Sequence, residues 1–388
     1  MSERWGELIS AQNKALQDAG RWRSIRSIES GTPTTAIRSS GQAVISFSSN
    51  DYLGLSQHSA VKAAAKAALE HYGSGSGAAR LIVGSRAVHD QLESALAAWA
   101  EREAALLFPT GFQANMGVIG ALTAASKQTA SSHPSSSSPA NQAGCIVYSD
   151  QLNHASIIDG IRSSRSPVRV YQHCDVDHLA SLISQQPNSL SLVVTDSVFS
   201  MDGDLAPLDD LEQLCKSTGA MLLVDSAHAV LGPTPPDSAV IVGTLSKTFG
   251  SVGGFVVADQ QLVDLCINTA RSFIFTTANS PADVAAAHAA LQIYRSAEGT
   301  DLCTQLRNNI DLLRPGHPSP IIPVLLGSEQ RAMQVAHELL DRNILIPAIR
   351  PPTVAEGTCR LRIAVSADHR QEDLLMLRAT LTELGVDL

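Results

Sequence analysis

The sequence predicts an α/β fold with a mostly parallel sheet, followed by a smaller α+β unit. Short apolar runs at residues 221–224 and 239–242 are typical of strands buried on both faces of a parallel sheet. From residue 104 to residue 257 such runs alternate with helical segments, which is the pattern of right-handed strand–helix–strand crossovers. After residue 281 the pattern changes, and the remaining strands and helices suggest a separate domain.

The composition indicates a folded enzyme of ordinary polarity. The chain has 388 residues, of which 44% are hydrophobic and 17% charged, so it can bury a large core. A net charge of −9 without a Lys/Arg-rich run argues against nucleic acid or an anionic membrane as a partner. The six cysteines are scattered, and no signal peptide or long apolar stretch is apparent. We therefore expect a cytoplasmic protein without a membrane segment.

The N-terminal region is predicted to form a helix and an arm. Residues 3–19 have apolar positions at helical spacing. The arginines that follow, Arg21, Arg23 and Arg26, either end that helix in solvent or contact a substrate carboxylate or phosphate. Both interpretations remain open at this stage.

A strand at 45–49 and a helix at 60–72 precede a glycine-rich loop at 73–80. This loop follows a helix, whereas a dinucleotide fingerprint must follow a strand, so we reject a Rossmann site. The strand at 104–108 is followed by Gly111, which opens a helix. Free N–H groups at such a helix start can bind a phosphate, although many α/β proteins have this geometry without using it.

Two segments in the middle of the chain have a distinctive composition. Residues 126–144 are rich in Ser, Pro and Ala and are predicted to form a flexible surface loop. Residues 173–178, HCDVDH, look like a metal site, but their consecutive ligands lack the spacing of zinc sites. We predict that no metal binds there.

Polar side chains follow the predicted strands at the edge where ligands bind in open α/β sheets. Asp225 and His228 follow one strand, and Thr244, Ser246 and Lys247 follow the next. A lysine amine that is desolvated in such a place can form a Schiff base, whereas an isolated lysine after a strand usually lies in solvent. The neighbouring acid and imidazole favour the Schiff base.

The last part of the chain is predicted to contain strands at 321–326, 344–349 and 360–365, with helices at 328–341 and from 368 onward. We therefore divide the chain into an N-terminal helix and arm at 1–45, a large domain at 46–280 and a small C-terminal domain at 281–388.

The chain resembles the α-oxoamine synthases, a branch of the fold-type I pyridoxal 5′-phosphate (PLP) enzymes. The resemblance rests on an ordered series of motifs: SNDYLGLS (49–56), GSGAAR (75–80), TGFQAN (110–115), NHAS (153–156), VFSMDGDLAPL (198–208), VDSAH (224–228), TLSKTFG (244–250) and RPPTV (350–354). It implies a fold-type I PLP-dependent transferase whose large domain has a mostly parallel, seven-stranded sheet.

The resemblance also implies residue roles. Lys247 would bind PLP as a Schiff base, Asp225 would pair with the pyridine nitrogen, His228 would bond the phenolic oxygen and His154 would stack on the ring. The residues implied to bind the cofactor are Gly111, Phe112, His154, Ser200, Asp225, His228, Thr244, Ser246, Lys247, Thr276 and Thr277. Those implied to contact substrate are Arg23, Asn50, His154, Thr353 and Arg362.

The implied activity is that of an acyltransferase of biotin biosynthesis. L-Alanine would condense with pimeloyl-CoA or pimeloyl-ACP and lose CO2, giving 8-amino-7-oxononanoate and the free thiol. Thr276 and Thr277 match hydroxyls that reach the phosphate of a neighbouring subunit, which implies a homodimer with shared active sites. One alternative is a sister synthase that uses glycine or serine with another acyl-CoA. A second is a PLP-binding protein without turnover.

Three departures from the family pattern concern the region around these motifs. Ser226 stands where a second acid is usual, and Asp196 stands where glutamate is common. Only 18 residues separate His228 from Lys247, and Ala229 and Val230 replace the usual glycine. These departures affect the expected acyl substrate more than the PLP chemistry.

Overall fold

The computed structural model describes residues 2–25, 27–38, 40–132 and 144–388. Its helices are α1 (Glu3–Asp18), α2 (Ser59–Tyr72), α3 (Ala87–Trp99), α4 (Gly111–Ser132), α5 (Ala155–Ser164), α6 (Val176–Ser184), α7 (Leu208–Thr218), α8 (Gln260–Thr269), α9 (Arg271–Ile274), α10 (Pro281–Tyr294), α11 (Ala297–Leu313), α12 (Glu329–Asp341) and α13 (Gln371–Glu383). A 3-10 turn at Leu55–Gln57 and a π turn at Arg80–Gly84 complete the described helical segments.

The strands are β1 (Ile28–Gly31), β2 (Thr35–Arg38), β3 (Ala43–Ser46), β4 (Ala104–Phe108), β5 (Ile146–Asp150), β6 (Val168–Tyr171), β7 (Ser191–Asp196), β8 (Met221–Asp225), β9 (Val240–Thr244), β10 (Gly254–Ala258), β11 (Ile321–Gly327), β12 (Ile344–Leu345), β13 (Ala348–Ile349) and β14 (Cys359–Ala364). They form sheets of four, seven and three strands.

The seven-stranded sheet has the order β4-β10-β9-β8-β7-β5-β6. Strands β5 to β9 pair in parallel, whereas β10 is antiparallel to both β4 and β9. The prediction of a mostly parallel, seven-stranded sheet is therefore confirmed, with β10 as the exception. Val242 of β9 and Val256 of β10 pack in one buried cluster. Their chain neighbours Ile241 and Phe255 pack in another, on the opposite face of the sheet. Burial on both faces explains why these strands are continuous apolar runs.

The C-terminal strands differ from their predicted extent. The segment 344–349 is two short strands, because β12 pairs in parallel with β3 whereas β13 pairs with β14. Pro347 lies between them and has no N–H to continue one ladder, and its carbonyl accepts the Arg362 N–H instead. The arm is thus joined to the C-terminal region through the sheet β1-β2-β3-β12. The division at residues 45 and 280 stays a prediction.

The prediction of a surface loop at 126–144 was wrong for its first part. Helix α4 continues to Ser132, so residues 126–132 are helical rather than irregular. Ala124, Ala125 and Lys127 are strong helix formers, which favours continuation of the helix. The rest of the predicted loop, 133–143, lies outside the described residues. No helix in the described part of the chain has the length and apolarity needed to cross a membrane.

Candidate active site

Strands β5, β7, β8 and β9 carry their functional residues at one edge of the sheet. Because these strands run in parallel, their carboxyl ends point the same way. The loop after β5 carries His154, β7 ends at Asp196, β8 ends at Asp225 and the loop after β9 carries Lys247. Residues far apart in the sequence are therefore gathered at the position where α/β sheets bind ligands.

The Lys247 amine is largely withdrawn from solvent. Its Nζ lies 2.7 Å from Nε2 of His228. Burial lowers the pKa of Lys247 to about 8, although the charges of Asp225 and Asp196 act in the opposite direction. A far larger fraction of this amine is therefore neutral near physiological pH than of a lysine with the ordinary pKa of 10.5, which makes it more nucleophilic.

A chain of hydrogen bonds leads from His228 to an arginine. Nδ1 of His228 lies 2.6 Å from the Tyr52 hydroxyl, which donates to Oδ1 of Asn50 at 3.1 Å. The same Asn50 oxygen accepts from Nη2 of Arg362 at 3.1 Å, and Nε of Arg362 donates to the carbonyl of Ser200 at 2.5 Å. Four predicted site residues are thus connected, with Tyr52 between them. Burial, followed by nearby positive charges, lowers the pKa of His228 well below its usual value, so the ring is neutral.

Two donors hold the carboxylate of Asp225. Nδ2 of Asn115, on helix α4, donates to Oδ2 at 2.6 Å, and the N–H of Ala227 donates to Oδ1 at 2.9 Å. These two donors fix the orientation of the Asp225 carboxylate. Sequence reasoning missed Asn115, although it is the last letter of the TGFQAN motif.

His154 is held through both its backbone and its ring. It is the N-cap of α5, and its Nδ1 accepts from the N–H of Ser156 at 3.3 Å. Its own N–H donates to Oδ2 of Asp196 at 2.7 Å. Burial lowers the pKa of His154, so the ring is neutral at physiological pH. A neutral, fixed imidazole is suited to stack on a flat aromatic ligand.

The start of helix α4 and the end of β9 form an anion pocket. Helix α4 begins at Gly111, and a Cβ placed on Gly111 would lie only 3.2 Å from Cβ of Thr244. The hydroxyls of Thr244 and Ser246 are 2.8 Å apart. The helix N-terminus offers the N–H donors that a phosphate requires, whereas the Thr244 hydroxyl already donates to the carbonyl of Gly253 at 3.0 Å. Phe112 is the next residue of the helix and is 41% exposed.

This set of groups fits PLP. An amine of lowered pKa can bind the aldehyde, and a carboxylate held by two donors can keep a pyridine nitrogen protonated. Two neutral imidazoles and a helix N-terminus match the ring and the phosphate. Lys247, Asp225, His228 and His154 are therefore the residues that would hold the cofactor.

A separate cavity of about 440 Å³ contains two of the predicted substrate contacts, Arg23 and Thr353. Arg23 donates to the carbonyl of Pro351 at 3.4 Å. Its competitor Arg21 is paired with Glu329 and Glu356 instead. Arg26, the other alternative, lies outside the described residues. The geometry therefore favours Arg23 over Arg21 as a ligand contact.

Thr276 and Thr277 are not brought to Lys247 within one chain. They follow Phe275, whose side chain is 70% exposed. Within the described ranges, no hydrogen bond joins either threonine to the Lys247 group. Their position on an exposed segment leaves them accessible to a second subunit.

The HCDVDH segment is held by carboxylates. Nδ1 of His173 lies 2.9 Å from Asp150 Oδ1, and its Nε2 lies 2.6 Å from Asp204 Oδ2. Burial lowers the pKa of His173, but these hydrogen bonds outweigh it and raise the pKa to about 12. Asp150, His173 and Cys174 lie close enough to share a metal ion, yet both ring nitrogens already face a carboxylate. The cluster therefore behaves as an ion-paired imidazolium.

Comparisons with known proteins agree with this geometry. Residues 42–381 match the family model described as aminotransferase class I and II. The 8-amino-7-oxononanoate synthase of Anaeromyxobacter dehalogenans is 43% identical and aligns with 93% of this chain and 91% of its own. The enzyme of the same name from Geobacter sulfurreducens is 39% identical, with 98% of both chains covered.

Two solved structures give the same result at the level of the fold. A Sphingomonas wittichii serine palmitoyltransferase has a TM-score of 0.83 at 27% identity, covering 99% of this chain and 98% of its own. An 8-amino-7-oxononanoate synthase from Francisella tularensis has a TM-score of 0.70 at 25% identity, covering 88% and 98%.

Proposed function

The chain belongs to the class I and II aminotransferase family, and from this premise we propose that it condenses L-alanine with a pimeloyl thioester to form 8-amino-7-oxononanoate. The predicted fold-type I fold and the use of PLP are confirmed by the family match and the neighbouring structures. The observation that carries the proposal is the buried group of Lys247, His228 and Asp225, in a chain that is 43% and 39% identical to the two 8-amino-7-oxononanoate synthases named above. The activity is an acyl transfer in biotin biosynthesis.

The bound cofactor would act as an electron sink for the negative charge that develops at Cα of alanine. With the cofactor bound to the substrate amine, Nζ of Lys247 would be available as a base, and its lowered pKa suits it to remove the Cα proton near neutral pH. Asp225 would supply the negative charge that keeps the pyridine nitrogen protonated. His228 would orient the phenolic oxygen, and His154 would cover one ring face.

Arg362 is the proposed contact for the carboxylate of the amino acid. Its guanidinium is held by Ser200 and Asn50, so its orientation is fixed before substrate binds. A fixed guanidinium favours a planar carboxylate and places Cα at a constant position. Ser200 therefore supports the site through its backbone carbonyl, in addition to the cofactor role implied by its motif.

We place the acyl chain in the cavity of about 440 Å³ that Arg23 and Thr353 line. Its walls include Met333, Leu340 and Ile346, which suit a methylene chain. Arg23 offers a positive charge for the free carboxylate at the end of a pimeloyl group. The thioester carrier, CoA or acyl-carrier protein, remains open within this proposal.

We further propose a homodimer in the cytoplasm. An exposed apolar surface surrounds the two threonines: Phe275 is 70% exposed, Ile82 73% and Val83 66%. The π turn that carries Ile82 and Val83 contacts helix α9, which precedes Phe275. Apolar surface of this kind is typical of a subunit interface. The six free cysteines are consistent with a reducing compartment.

The test is release of free thiol by PLP-loaded protein given pimeloyl-CoA with L-alanine, glycine or L-serine in parallel. We expect release with alanine, accompanied by 8-amino-7-oxononanoate in the mass spectrum. Release with serine instead would favour a sister synthase that uses serine, the alternative that the similarity in fold to serine palmitoyltransferases supports. No release with any amino acid, from CoA or from acyl-carrier protein, would contradict the proposal and favour a PLP-binding protein without turnover.

A further inference from the structure

Two acidic side chains meet at the carboxyl ends of neighbouring strands. Asp196 of β7 and Asp225 of β8 are register partners in the parallel ladder. Register partners place their side chains on the same face of a sheet, on strands roughly 4.8 Å apart. Both side chains are buried. Two carboxyl groups are thus held next to each other away from water.

Two buried carboxyl groups on neighbouring strands each disfavour a charge on the other, because the repulsion between them is little screened. The group that receives more hydrogen-bond donors stabilises a negative charge better. Asp225 receives two donors, Nδ2 of Asn115 and the N–H of Ala227. Asp196 receives one, the N–H of His154. Asp225 therefore has more hydrogen-bond donors to stabilise a negative charge than Asp196 has.

The other titratable groups around Asp196 do not reverse this preference. Asp150, at the end of β5, adds a further negative charge, and Lys247 adds a positive one. The ring of His154 is neutral, so it contributes no positive charge. Burial, then the charge of Asp225, raises the pKa of Asp196 well above its usual value, against the smaller effects of the His154 bond and of Lys247.

We propose that Asp196 is a neutral carboxylic acid and acts as a positioning residue, because it holds the N–H of His154. Asp225 alone then carries the negative charge of the pair. The pair then presents a single charge to the pyridine nitrogen of the cofactor. The role given to His154 rests on the proposed function, but the protonation state of Asp196 does not depend on turnover.

The direct test is infrared difference spectroscopy of the PLP-loaded protein against Asp196→Asn at neutral pH. A protonated carboxyl group has its own C=O stretching band, which an ionised one lacks. We expect this band in the difference spectrum, with the shift in D2O that identifies an exchangeable proton. The other buried carboxyl groups are present in both proteins and cancel.

A second comparison uses Asp225→Asn, which removes the charge of Asp225 but leaves Asp196 buried. One of the causes that raise the pKa of Asp196 is then lost, so the acid band is expected to give way to the carboxylate band at a lower pH in this background than in the wild type. No acid band in the wild-type comparison, or a transition at the same or a higher pH in the Asp225→Asn background, would overturn the proposal. Neither result depends on thiol release, so failure here and failure of the proposed activity can be told apart.

Kinetics separate the positioning role from a merely structural one. The side chain of Asp196→Asn is neutral and keeps an oxygen for the His154 N–H. Asp196→Ala leaves that buried donor without a partner, so we expect its kcat to be lower than that of the asparagine variant by about tenfold or more. The cofactor absorbance should change only in the alanine variant. Equal losses in the two variants, both folded by circular dichroism, would contradict the role.

Discussion

A 2.6 Å hydrogen bond joins the Tyr52 hydroxyl to Nδ1 of His228. Both side chains are buried, and the second ring nitrogen of His228 faces Nζ of Lys247 at 2.7 Å. The tyrosine therefore sets the orientation of the imidazole that contacts the candidate Schiff-base lysine. Tyr52 also bonds Asn50, so it connects the lysine side of the site to Arg362 on strand β14.

Tyr52→Phe should lower kcat by roughly tenfold, because it leaves a buried nitrogen of His228 without a partner, a loss of about 1–3 kcal/mol. The cofactor absorbance should shift as well, since the ring of His228 is no longer fixed. Tyr72→Phe is the matched control, because among the described residues its hydroxyl makes no hydrogen bond. Equal kinetics for the two variants would show that Tyr52 does not orient His228.

The pH dependence of cofactor binding follows from Lys247. Burial lowers its pKa to about 8, and only the neutral amine attacks an aldehyde. The rate at which the cofactor-free protein combines with PLP should therefore rise with pH through about 8 and then level off. Stopped-flow absorbance measures this rate directly. A midpoint near the ordinary lysine value of 10.5 would contradict the burial of this amine.

Asp225→Asn should slow turnover by roughly two to four orders of magnitude. Removal of one partner of a buried charged pair costs about 3–5 kcal/mol, and each 1.4 kcal/mol is a tenfold change in rate. Steady-state thiol release measures the loss. Asp264→Asn, an exposed substitution on helix α8, is the control and should leave the rate within experimental error. A variant at position 225 that is as active as this control would refute the electron-sink role.

His173 should contribute stability in a pH-dependent way. Its pKa is raised from 6.5 to about 12 in the folded protein, so the folded state binds its proton more tightly than the unfolded state. The contribution is full below about pH 6.5 and declines as the pH rises toward 12. His173→Gln should therefore lower the free energy of unfolding by about 3 kcal/mol at low pH, because Asp150 is left buried without its cation.

Urea denaturation of wild type and His173→Gln at about pH 6 and about pH 9 measures this difference. The gap between the two proteins should be smaller at the higher pH. The exposed substitution His71→Gln is the control and should show no such trend. A gap that widens with pH would contradict the imidazolium assignment.

The sequence predicted those parts of the site in which the reactive residues themselves belong to a recognisable motif. Lys247, Asp225, His228 and His154 each follow a recognisable strand, and the structure brings His228 and Lys247 into contact. It did not predict the partners that orient them. Tyr52 lies between β3 and α2, and Asn115 lies on α4. Both are far in the sequence from His228 and Asp225, and only the packing of the fold brings them together.

The fold was predictable to the same extent. Buried parallel strands have a strong local pattern, so the central sheet could be anticipated. The antiparallel direction of β10 and the parallel pairing of β12 with β3 have no local pattern, because strand direction and partner depend on long-range contacts. The continuation of α4 through 126–132 was missed, because serine-rich composition obscured residues of good helix propensity.

The most direct test of the account is borohydride reduction of the PLP-loaded protein, followed by proteolysis and mass spectrometry. Reduction fixes the cofactor to the lysine that binds it. We predict the pyridoxyl label on the peptide that contains Lys247, and no label at that position in Lys247→Ala. A label on another lysine of the wild-type protein, or none in a preparation that shows the cofactor absorbance, would contradict the assignment of Lys247 and with it the proposed active site.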